Sequence, residues 1–140
     1  DVAELFGMFD PKYAVQCVKH EHNPVETVKM EGQAQTRYLR KNWSSLVLWS
    51  NFHPSNLLLT PHKVNVERGQ FLHAFGWLEP REIGSLPVEW NYLVGTNTSK
   101  DAPDPQGVHF TLGLPTMPGR ANDEYADEWF EVARRIGAGA

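Results

Sequence analysis

Short apolar blocks, each closed off by Gly, Pro or Asn, run the length of this chain, and their spacing predicts a series of brief helices and strands. Val2, Ala3, Leu5, Phe6 and Phe9 follow a helical period, with Asp1 as N-cap. Behind the breaker Asp10-Pro11, Tyr13 to Lys19 reads as a strand. It ends in Lys19-His20-Glu21-His22-Asn23-Pro24, where two histidines share one side of an extended segment. With no third ligand nearby, a polar loop is favoured there over a metal pair. The segment from Lys29 to Lys41 carries Gln33, Gln35, Arg37, Tyr38, Arg40 and Lys41, a solvated connection or a substrate-facing loop. A second strand is expected from Ser45 to Trp49.

Thr60-Pro61 opens a short helix that runs to about Glu67 and that Gly69 ends, and a helix or turn covers Leu72 to Glu82. Leu86 to Leu93 makes a loop or short strand, and Gly95 to Gln106 a surface loop or flap. Gly107 to Phe110 is a strand that delivers His109 into the loop bearing Gly113, Pro115, Pro118 and Gly119. From Asp123 to Ile136, the residues Tyr125, Trp129, Val132, Ala133 and Ile136 mark one face of a closing helix. The pattern is that of a single α/β domain over residues 1–140, or of the C-terminal portion of one. Asp1 opens directly on a helical period, as in a chain that starts inside a domain.

Composition narrows the function. With 140 residues, 41% hydrophobic and 21% charged, the chain has enough apolar material for a core. A formal charge of -4 with dispersed basic residues argues against nucleic acid. No apolar run reaches membrane length, and no signal peptide is visible. The single cysteine, Cys17, forms no internal disulfide and suits a reducing cytoplasm. A phosphate loop, a nucleophile elbow, a cysteine-rich metal site and a His-Glu-X-X-His helix are all missing. Of five tryptophans, Trp43 and Trp90 sit beside polar loop residues and are the expected ligand neighbours, whereas Trp129 is expected in the core.

The stretches Asp1 to Phe6, Arg40 to Ser45, Leu86 to Asn91, His109 to Pro115 and Tyr125 to Trp129 together resemble the C-terminal part of retaining, family-8-like glycosyltransferases, in particular a bacterial branch. The resemblance implies part of a GT-A-type (nucleotide-diphospho-sugar transferase) mixed sheet flanked by helices, its N-terminal nucleotide-binding half missing. It implies a nucleotide-sugar donor, a carbohydrate or other acceptor, and Mn²⁺ or Mg²⁺ bound by an Asp-X-Asp motif preceding Asp1. His109 would be a further metal ligand, and Gly113 would let backbone approach the diphosphate. Asn42, Ser44 and Ser45 would meet the donor sugar, with Trp90 and Asn91 on the acceptor side. Two departures leave the catalytic residue unidentified. Leu114-Pro115-Thr116-Met117 lacks the family's lysine, and Phe71-Leu72-His73-Ala74-Phe75 lacks its acidic run, while Glu79 and Glu82 read as surface residues. The competing expectations are a noncatalytic carbohydrate- or nucleotide-binding module and a structural or interaction protein. An open sheet lacking its first half also suggests a homo-oligomer or partner chain over its edge.

Overall fold

The computed structural model describes residues 1–21, 28–29, 33–34 and 39–137. Its centre is a three-stranded mixed sheet in the order β4-β1-β5. Strand β1 (Val15–Cys17) runs antiparallel to β4 (Val47–Trp49) and parallel to β5 (Ile83–Ser85), with Gln16 opposite Leu48 on one side and Gly84 on the other. Every residue of β1 is buried. Successive strand residues point to opposite faces, so the sheet divides the core in two. Val15 and Cys17 join Ala14, Phe75, Leu78 and Ile83 on one face. Val18 and Leu48 join Leu5, Leu86 and Trp90 on the other.

Helix α1 (Val2–Gly7) is capped by the Asp1 carboxylate, which accepts from Ala3 N at 2.9 Å. Only Leu5 of that helix is buried. Its end is tied to the sheet by Gln16, whose side chain donates to Met8 O at 3.0 Å and accepts from Asp10 N at 2.7 Å. Strands β2 (Val28–Lys29) and β3 (Gln33–Ala34) pair antiparallel at the start of the stretch read as a solvated connection or substrate-facing loop, and Gln35, Arg37 and Tyr38, with His22, lie outside the described residues.

Helix α2 (Pro61–Val66) starts as expected, Thr60 Oγ1 accepting from Lys63 N at 3.2 Å. Gly69 does not end it. Extended Glu67 and Arg68 do, and Gly69 opens α3 (Gly69–His73). A two-stranded parallel ladder follows, formed by β6 (Tyr92–Leu93) and β7 (Val108–His109). The loop between them is tied down rather than free as a flap: Leu93 N donates to Asn97 Oδ1 at 2.8 Å, Asn97 O lies 3.1 Å from Tyr92 Oη, and Ala102 is fully buried. The closing helix α4 spans Ala126–Arg135, starting later than its period suggested because Tyr125 adopts a left-handed conformation. Its buried residues are Ala126 and Ala133, while Val132 and Ile136 face solvent.

Candidate functional site

The site is built where β6 and β7 meet the turn that precedes β4. The ladder pairs Leu93 with His109, which carries the imidazole to within two residues of the Val88–Asn91 turn leading into β6. Gly107 makes this approach feasible. Its amide donates to Glu89 O at 2.9 Å, and a Cβ at this position would stand 2.4 Å from Trp90 O. Across from it, a 3-10 turn over Trp43–Ser45 brings Ser45 to the same place. Ser45 therefore belongs to a helical turn before β4 and not to the strand, because Asn42 at φ 64 closes the chain into a turn that only Leu46 reopens to extended backbone.

Ser45, Trp90, Asn91 and His109 line one open hollow of about 480 Å³, completed by apolar walls from Leu46, Phe110, Leu114 and Trp129. That volume lies in the range of small-molecule sites. Gly113 stands in the turn between Phe110 and Leu114, at φ 132, a conformation open to glycine and closed to most side chains. Asn42 and Ser44 do not line the hollow. Asn42 contributes its carbonyl, which accepts from Ser45 Oγ at 2.7 Å, and Ser44 Oγ lies 2.9 Å from His73 Nδ1.

Polar contacts bind the walls together. Asn91, almost fully buried, donates through Nδ2 to Ser45 Oγ at 2.7 Å and to His20 Nε2 at 3.1 Å. His20 is itself buried, and its carbonyl accepts from Trp43 Nε1 at 2.9 Å. The tryptophans thus divide differently from the expectation. Trp43 packs against the first core cluster, with Lys19 and Arg40 over its ring, while half-buried Trp129 reaches the hollow beside Trp90. Trp129 lies on the same turn-to-turn row as Ala126 and Ala133, so periodicity alone marked it as core. His20 was legible only as one residue of a polar loop, because its partners lie in distant segments.

Behind β6, the Tyr92 phenol donates to Glu124 Oε2 at 2.7 Å, and burial followed by that bond pushes its titration upward. Glu79 and Glu82 serve a 3-10 cap. Glu82 Oε2 accepts from Glu79 N at 2.8 Å, and the Ser55 hydroxyl donating to its other oxygen holds the Glu82 carboxyl below its usual range. Neither acid lines the hollow. Among the described residues, no three His, Cys, Asp or Glu side chains gather closely enough to hold a metal ion. A larger hollow of about 640 Å³ runs along α4 and is lined by that helix alone, so no second element brings groups to converge on it.

Among the described residues, no helix is long and apolar enough to cross a membrane. No protein-family model and no solved structure matches the chain. It is 48% identical over 132 residues to Protein CDI of Arabidopsis thaliana, an alignment covering 92% of this chain and 51% of that protein. The chain therefore spans about half the length of the curated relative it matches. A plant relative, with no glycosyltransferase family model beside it, overturns the placement among bacterial family-8-like retaining glycosyltransferases. Stretches of five to seven residues, most of them built around Trp, Pro or Gly, reflect turn chemistry that unrelated loops share, and they were too short to carry a family assignment.

Proposed function

We propose that this chain holds the sugar of a nucleotide-sugar donor, within a metal-dependent glycosyltransferase of the nucleotide-diphospho-sugar transferase fold that passes the sugar to a carbohydrate or other acceptor. The observation that carries the reading is the convergence of a hydroxyl, an amide, an imidazole and two indoles on one hollow of about 480 Å³. A sugar ring has an apolar face of C–H groups and a rim of hydroxyls. Trp90 and Trp129 suit the first, and Ser45 and Asn91 suit the second. His109 offers a nitrogen to an acceptor hydroxyl or to one position of Mn²⁺ or Mg²⁺. The described residues do not build a metal site by themselves, so any further ligands belong to the diphosphate or to residues outside this set. Such an ion, when bound, stabilises charge on a departing diphosphate. Burial of the free Cys17 thiol fits a reducing compartment such as the cytoplasm.

One observation favours a second reading. No carboxylate among the described residues lines the hollow, which suits a carbohydrate- or nucleotide-binding module without catalysis. Calorimetric titration with UDP and UDP-glucose, with and without Mn²⁺, tests the first reading. Metal-dependent binding that weakens about tenfold or more in His109→Ala is expected. UDP-glucose binding without hydrolysis or transfer in the full-length protein would support the module instead, and binding of neither probe in that protein would sink both.

A further inference from the structure

The Asn91 amide nitrogen has two hydrogens and no lone pair to offer, and both hydrogens are committed, one to Ser45 Oγ at 2.7 Å and one to His20 Nε2 at 3.1 Å. His20 Nε2 must therefore accept. Ser45 in turn places its one hydroxyl hydrogen on Asn42 O at 2.7 Å, and Asn91 occupies one of its lone pairs. The lone pair that is left can only accept, and Ser45 is exposed on the wall of the hollow. A chain of donors thus runs from the buried imidazole outward to a ligand-facing oxygen, crossing sequence separations of 71 and 46 residues.

We propose that His20 is a positioning residue: by holding Asn91 as a double donor it fixes Ser45 Oγ as an acceptor that selects a ligand hydroxyl on this wall of the hollow. The ligand part of this assignment rests on the sugar reading above. The positioning part does not. A proton on His20 Nε2 sets donor against donor, so the amide turns over, presents Oδ1 to both partners and draws the Ser45 hydrogen away from Asn42. Ligand binding then depends on the protonation of a residue that lines a different hollow, of about 380 Å³. The charged groups lining that hollow with His20, among the described residues, are Lys19 and Glu21 on its own segment and Asp101 across from it. Lys19 Nζ donates to Ile83 O at 2.7 Å, and Asp101 accepts from Thr98 N at 2.7 Å and from Thr98 Oγ1 at 2.9 Å.

The test needs no ligand at its first stage. Long-range ¹H–¹⁵N spectra of the wild-type chain at pH 7.5 are expected to show an unprotonated His20 Nε2. The Asn91 side-chain amide is expected to exchange slowly, to exchange about tenfold faster in His20→Leu, and to recover in His20→Gln, whose carbonyl replaces the acceptor. Asn91 shifts should follow the His20 titration in the wild type and lose that dependence in His20→Gln. UDP-glucose affinity should fall and recover in the same order. A ring protonated at Nε2 at pH 7.5, or Asn91 signals untouched by His20→Leu, overturns the assignment. If His20→Leu does not fold, the wild-type ring spectrum and His20→Gln decide it. UDP-glucose binding to no form, with the amide spectra as expected, overturns the sugar reading and leaves the positioning role supported.

Discussion

Cys17 closes β1 with no exposed surface, and burial pushes its thiol up to about 12. The neutral form is the one folding favours. In the unfolded chain the same thiol ionises near 9, so above that pH the unfolded state gains stability while the folded state keeps its proton. Stability is therefore expected to decline from about pH 9 toward 12, and Cys17→Ser should show a shallower decline in urea titrations across that window. A thiol reagent at pH 8 should modify Cys17 only as fast as the chain opens. The sequence set this residue in a β-favouring run with Val15 and Val18, which is where the strand forms. It could not display the Asn91 amide, whose partners His20 and Ser45 are remote in the chain and whose role depends on which hydrogen meets which lone pair.

Elements of two or three residues owe their existence to their neighbours, and β7 is the sharpest case. Val108–His109 holds its place because Gly107 lets the backbone close on Trp90 O and because Tyr92 N donates to Gly107 O at 2.8 Å. Gly107→Ala is expected to cost about 1–3 kcal/mol in chemical denaturation and to weaken any ligand bound beside His109, since the added methyl meets backbone that cannot step aside. An unchanged denaturation midpoint would mean that β7 shifts without harm. Strands β1, β4 and β7, the caps of α1 and α2 and the closing α4 were legible from period and punctuation. The register of α4 was not. Its apolar residues admit two faces, and the left-handed Tyr125 that sets where the helix begins leaves no mark in a hydropathy pattern.

The whole molecule distributes its apolar side chains unevenly. Phe75 is 1% exposed and meets Trp49 and Trp77 edge-on at 6.3 and 5.8 Å, whereas Phe52 is 94% exposed. Phe75→Ala is expected to cost about 3–5 kcal/mol. Phe52→Ser should change stability by less than about 0.5 kcal/mol, with both values read from urea unfolding. Equal effects would place Phe52 inside a core the fold does not show. The hollow joins two apolar clusters, Trp90 belonging with Leu5 and Leu48 and Phe110 packing on Tyr92, Val94 and Ala102. No local stretch of sequence announces such a junction.

The parallel pairing of Val15 with Ile83 also has a consequence in time. A ribosome releases β1 and Ser45 long before it has made β5 or Asn91, and closing so wide a loop is the slow part of building a sheet. During synthesis, β1 has only β4 to lie against until the second edge arrives, and its apolar residues stay open to whatever meets them first. Ser45 emerges early, Asn91, which donates to it, 46 residues later, and His109 and Trp129 of the same hollow later still, so an interrupted nascent chain has the hollow's first wall without the others.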